Sequence, residues 1–127
     1  MPKAPRWEAT PSDEDYAAAG RYLSLLMSAT RSDALADRLK VGSSVAHRAN
    51  DLLRASGLAL LPPSDPEVAN DLKKVKRGQK LSPVLLVIGE LDDERPLTVA
   101  DGYHRICASY HVDPDSEIPC RVVDRGA

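Results

Sequence analysis

Five apolar residues in a row, Val84-Leu-Leu-Val-Ile88, constrain this chain more than any other feature. No polar residue alternates with them, so the segment has no face to give to water. It is far too short to cross a bilayer. A strand of this kind is central and covered on both faces. The fold class that follows is α/β or, more broadly, α+β, with an N-terminal helical segment.

The neighbours of that strand are legible in the same terms. Glu90 to Arg95 reads as a charged turn, and Pro96 to Ala100 returns as a partner strand. A helix follows from about Gly102 to His111. A loop with Asp113, Pro114, Asp115 and Glu117 then leads to a last strand, Ile118 to Val123. Upstream, Leu58 to Leu61 is a short apolar run that Pro62-Pro63 stops, and it reads as a strand. Ser64-Asp65-Pro66 starts a helix with proline in its first turn. That helix runs to about Arg77, with Val68, Leu72 and Val75 on its inner face, and Gly78 ends it.

The first 57 residues are helical in pattern. Residues 1 to 11 hold three prolines and form an extended arm that Trp7 anchors. Ser12 is a helix N-cap, with Asp13, Glu14 and Asp15 filling the positive first turn. Tyr16, Ala19, Leu23 and Leu26 recur at helical spacing, to about Thr30. Ser32 is a second N-cap candidate, for a short helix carrying Ala34, Leu35 and Leu39. Ser43 or Ser44 caps a third, with Val45, Ala49, Leu52 and Leu53 inside and Gly57 just past its end. Residues 1–57 form an arm and helical segment and 58–127 an α/β domain, the two making one unit. The helices cover the sheet or form a homodimer surface.

Composition narrows the partners. The chain has 127 residues, 43% of them hydrophobic, and no Phe, so Leu, Val, Ile and Ala build the core. The net charge is −2 and the sequence pI about 5.9, so no global field favours nucleic acid or an anionic membrane. The opening residues lack the apolar centre of a signal peptide, which sets a cytoplasmic expectation. Cys107 and Cys120 are then free thiols.

The chemistry concentrates in "VADGYHRICASY", residues 99 to 110. A helix that begins where a strand ends presents unpaired N–H groups and a partial positive charge, which suits an anion and above all a phosphate. Gly102 lets backbone approach a ligand closely. Arg105 can grip two phosphate oxygens, and His104 can donate a hydrogen bond or act as acid or base. Tyr103 can line the ligand. The plain alternative is structural: Asp101 caps the helix, Gly102 eases the turn, His104 satisfies a carbonyl, and Arg105 pairs with Asp101 or Asp124.

Gly-Tyr-His-Arg-Ile-Cys-Ala, residues 102 to 108, also matches a G-x-[HR]-R-x-x-A pattern. In this the chain resembles the ParB/sulfiredoxin superfamily over about residues 58 to 124. The resemblance implies a small α/β domain with a mixed sheet that binds nucleotide phosphates (ATP, ADP or CTP), usually with Mg²⁺, through Gly102, His104 and Arg105. Ala108 is then a packing position. The resemblance also extends to small-molecule kinases in which a carboxylate activates the acceptor hydroxyl. That makes His104, Asp101 and Glu67 catalytic candidates, with Asp65 and Asp71 in the same region. Sulfiredoxins carry their reactive cysteine immediately before the histidine. Tyr103 stands there in this chain, so sulfinic-acid reduction does not follow.

Two further features bear on function. "KKVKRGQK" gathers Lys73, Lys74, Lys76, Arg77 and Lys80, either as a solvated face or as a basic lip that steers a phosphate ligand or nucleic acid, with Lys80 as a ligand-binding candidate. Residues 32–57 resemble a helix-turn-helix, with Ser43, Ser44, His47 and Arg48 facing DNA. His47 and His111 have no neighbour at metal-ligand spacing. The preferred reading is a protein that binds a nucleotide or phosphorylated ligand, with phosphoryl transfer or hydrolysis as an extension. The competing reading is a non-enzymatic DNA-associated regulator.

Overall fold

The computed structural model describes residues 4–91 and 96–125. Along the chain run β1 (Arg6–Trp7), α1 (Asp13–Leu23), α2 (Ala29–Val41), β2 (Ser44–Arg48), α3 (Ala49–Ser56), α4 (Pro66–Lys76), β3 (Lys80–Leu81), β4 (Val84–Ile88), β5 (Leu97–Asp101), α5 (Tyr103–Val112) and β6 (Glu117–Asp124). The charged turn expected at Glu90 to Arg95 lies, for residues 92–95, outside the described residues, as do the tail residues 126–127.

The main sheet has four strands in the order β2-β6-β4-β5. β4 runs parallel to β6 and antiparallel to β5, and β2 runs antiparallel to β6, so the sheet is mixed. The chain is an α+β protein. Val84 and Leu86 of β4 join one core cluster, with Ala49, Leu52, Val68, Ile106 and Ile118. Leu85 and Val87 join the other, with Tyr16, Ala19, Leu23, Leu35 and Leu39. Successive side chains of a strand point to opposite faces. From Val84 to Val87 the apolar run is therefore explained: α1 and α2 cover one face of β4, and α3, α4 and α5 the other, while Ile88 at the end of the strand is exposed.

This layering spends the apolar faces of α1 and α2 on the sheet. Both cores draw residues from each side of Gly57, so the boundary at 57 separates no independent unit. The N-terminal arm is tied down as β1, which pairs in parallel with β3 through Arg6–Lys80 and Trp7–Leu81.

Several local expectations hold. Ser12 caps α1 in a reciprocal box with Asp15, at 3.1 and 2.9 Å. Asp65 caps α4 with Pro66 in its first turn, and Gly57 takes the left-handed conformation (φ 69°) at the end of α3.

Others are corrected. The first helix stops at Leu23 rather than Thr30, and Ser24 turns its hydroxyl back to the Arg21 carbonyl at 2.6 Å. The second helix is capped by Ser28, not Ser32; Ser32 lies buried inside it and bonds the Ala29 carbonyl at 3.0 Å. Residues 44–48 form strand β2 instead of the start of a helix. A strand therefore separates α2 from α3, and the helix-turn-helix expected over residues 32–57 does not form. Leu58 to Leu61 is not a strand.

Candidate functional site

Asp101 ends β5, Gly102 turns the chain, and α5 begins at Tyr103. The N-cap is Gly102 and not Asp101, in the left-handed conformation (φ 110°), and no side chain caps the helix. A Cβ on Gly102 would lie 2.4 Å from Val84 Cγ1 and 3.0 Å from Arg105 Nη2. Its missing side chain therefore lets the turn press against β4.

The first-turn amides of α5 differ from those of the other helices. Ser12, Ser28 and Asp65 accept from the first turns of α1, α2 and α4. The Ser116 and Pro114 carbonyls accept from Ala49 and Asn50 of α3, each at 3.0 Å. At α5 the first intrahelical bond is Ile106 N–H to the Gly102 carbonyl, at 3.0 Å. Among the described residues, no acceptor reaches the N–H groups of Tyr103, His104 and Arg105. All three residues are half-buried.

The side chains around this end are strongly coupled. Arg105 Nη2 bonds Asp101 Oδ2 at 2.9 Å and the Pro83 carbonyl at 3.2 Å, and stands 3.9 Å from Asp15 Oδ1. Its side chain is only 17% exposed. Nε of the same guanidinium is buried without a hydrogen-bond partner. Of the two pairings left open by the sequence, Arg105 takes Asp101; Asp124 instead pairs with Arg38 at 3.1 Å.

His104 turns the other way, toward the start of α4. Its Nδ1 is 2.7 Å from Glu67 Oε2, and its Nε2 is 3.9 Å from Asp65 Oδ2. With the proton on Nδ1 donated to Glu67, Nε2 is left as an acceptor on the side of Asp65. Asp65 Oδ2 is itself occupied by the Glu67 and Val68 amides, at 3.2 and 3.1 Å. Tyr103 donates its hydroxyl to the Ala59 carbonyl and packs against the core.

Asp15, Asp65, Glu67, Asp71 and Asp101 thus stand around one guanidinium and one imidazole. Burial raises Asp71 above the usual carboxylate value, against the pull of Lys74, Arg105 and His104, and Glu67 adds repulsion. Burial also raises Asp101, outweighing its bond and attraction to Arg105, with Asp15 adding to the rise. For Asp15 burial pushes upward too, but hydrogen bonds from Ser12 and Ser82 and the Arg105 charge win, and its carboxyl lies below the ordinary value.

The two thiols are buried and free. Burial pushes Cys120 up to about 12 and raises Cys107 as well, so neither is a ready thiolate. Lys80 is exposed on β3, opposite Arg6. Lys73, Lys74 and Lys76 occupy the last turn of α4, where cations complement the helix dipole. His47 lies on exposed β2, and His111 Nε2 is 2.7 Å from the Leu61 carbonyl.

Asp15, Ser82 and the Pro83 carbonyl belong to this neighbourhood although no local spacing announces them. Asp15 already had a sufficient role in the α1 cap. Among the described residues, no helix is long and apolar enough to cross a membrane.

The class that the architecture defines is α+β with one mixed sheet between helical layers. No family model matches the chain, and neither a curated protein nor a solved structure matches it.

Proposed function

We propose that the chain binds a phosphorylated small molecule or nucleotide at the N-terminus of α5. One observation carries this reading: three successive first-turn amides, of Tyr103, His104 and Arg105, have no acceptor among the described residues, at a helix end whose residues are only half-buried. Such an end attracts an anion by both its donors and its dipole. The buried, unmatched Nε of Arg105 is a second donor in search of an acceptor.

The division of labour differs from that implied by the motif. Arg105 supplies positive charge from behind the amides, while its Nη2 braces the junction. His104, oriented by Glu67, is the side chain that meets the ligand, as donor when protonated and as base when neutral. Tyr103 flanks the seat. The ParB/sulfiredoxin resemblance supports the same placement through residues 102 to 105.

The residues do not fit a magnesium ion on their own. Among the described residues, no group of three or more His, Cys, Asp or Glu could hold a metal. The proposed function therefore contains no metal-dependent step.

The test is a titration of ¹⁵N-labelled protein with inorganic phosphate, ADP, ATP and CTP, each with and without Mg²⁺. At least one is expected to move the amide signals of Tyr103, His104 and Arg105 most, and His104→Ala to weaken that binding. No shift with any of them, or shifts centred elsewhere, overturns the reading.

A further inference from the structure

The two edges of the main sheet are unequal. At one edge, β5 has two buried and three half-buried residues, and its register with β4 shifts between Leu85 and Leu86. At the other, all five residues of β2 are exposed, and its pairing with β6 runs unbroken from Ser44–Arg121 to Arg48–Glu117. An edge strand presents a row of unpaired N–H and C=O groups, which natural chains blunt with prolines, lysines, bulges or a covering element. Ser44-Val-Ala-His-Arg48 has no proline, lysine, acid or bulge, and its one fixed charge, Arg48, stands at the end of the strand.

We propose that β2 is a self-association surface whose occupant is a second copy of this chain. The two β2 strands pair antiparallel about a twofold axis at Ala46, joining the two sheets into one. Only an antiparallel pairing closes on itself with the same patch on both copies. A twofold at Ala46 opposes all five residues of the strand, whereas moving it to Val45 or His47 leaves only three of them opposed.

The side chains agree with this register. Ser44 faces Arg48 of the partner subunit, Val45 faces His47 of the partner subunit, and the two Ala46 residues meet at the axis. No like charges stand directly opposite one another. Each Arg48 keeps its own acids, Glu117 across the β6 pairing and Asp115 at 3.9 Å. Along the row of Val45, its β6 neighbour Cys120 is fully buried, while Val45 is 43% exposed because the sheet ends there. The partner's His47 covers it. The small side chain of Ala46 lets the two backbones approach to ladder distance at the axis.

Sedimentation equilibrium of the full chain, from micromolar to millimolar concentration, is expected to show a monomer–dimer equilibrium. Ala46→Lys and Ala46→Glu each put like charges face to face across the axis and should each be monomeric. Mixing the two should restore a dimer, now heterodimeric. Ala46→Cys should form an intermolecular disulfide on mild oxidation, since opposed Cα atoms in such a ladder lie within disulfide reach. Because Ala46 is exposed, the variants should keep the wild-type circular dichroism. A wild type that stays monomeric at millimolar concentration overturns the proposal. So do folded Ala46→Lys protein that still dimerises, and a Lys–Glu mixture that does not.

Discussion

Arg105 Nη2 and Asp101 Oδ2, 2.9 Å apart, tie the first turn of α5 to the last residue of β5. Both side chains are only 17% exposed, and Asp15 reaches the same guanidinium from α1 at 3.9 Å. Three elements are thus pinned by one cation. Removing one partner of a buried pair leaves the other charge uncompensated, which costs about 3–5 kcal/mol. Arg105→Ala should lose that much in urea unfolding. Arg105→Met combined with Asp101→Leu should lose clearly less, because no orphan charge remains. If Arg105→Ala were as stable as the wild type, the bracing role would be wrong.

Gly102 and Val84 make a second, purely steric prediction. At φ 110° any L-residue is strained, and an added methyl would sit 2.4 Å from Val84 Cγ1. The strain alone costs on the order of 1–3 kcal/mol, and the clash with a fully buried strand residue adds to it. Gly102→Ala should therefore unfold at markedly lower denaturant. Adding Val84→Ala should not restore full stability, since it relieves the clash but leaves the strain and opens a cavity. A Gly102→Ala protein with unchanged stability would show that the turn has another conformation available.

His104 and Glu67 behave differently from the Arg105 pair. They are in contact at 2.7 Å, but their side chains are 36% and 71% exposed. Exposed ion pairs contribute about 0–1 kcal/mol. His104→Ala should leave stability within that range while weakening binding of a phosphate ligand at the α5 amides. Thermal melts beside a ligand titration measure both. A large loss of stability would make His104 a structural residue and remove it from the site.

Much of this arrangement was legible from sequence because burial writes a pattern. The run Val84 to Ile88 announced its two covered faces, and Asp65-Pro66 and Gly57 announced the ends of α4 and α3. β2 was not legible, because an edge strand exposed along its whole length carries no alternation, and Val45, Ala49, Leu52 and Leu53 fall at helical spacing. Pairing with β6 outweighs that spacing. Leu58 to Leu61 looked like a strand, but side chains take its carbonyls: Tyr103 bonds that of Ala59 and His111 stands against that of Leu61. Ser28 and Ser32 have the same capping chemistry, and only the early end of α1 decides between them. At the site, the motif residues were visible in one short stretch. Asp15 was not, since its approach to Arg105 depends on α1 lying across the sheet.

Asp71 gives the most direct test of the site's charge. It is 9% exposed, and among the described residues no hydrogen bond reaches its carboxyl. Burial raises its proton affinity above the ordinary 3.8, so its ionised form is less favourable in the folded chain than in the unfolded one. Its contribution to stability is full below the ordinary value and is lost as pH rises through the higher folded value. Asp71→Asn, neutral at every pH, should therefore be more stable than wild type at pH 7, with the gap closing as the pH falls toward and below 3.8. The same substitution removes a negative charge that faces Arg105 and His104. An anion at the α5 amides should then bind more tightly, on the order of a few-fold at low salt, with less gain at high salt as screening takes over. Unfolding curves at acidic and neutral pH, together with phosphate titrations at two ionic strengths, separate the two effects. Tighter binding without added stability would mean that Asp71 lies closer to the ligand than to the core.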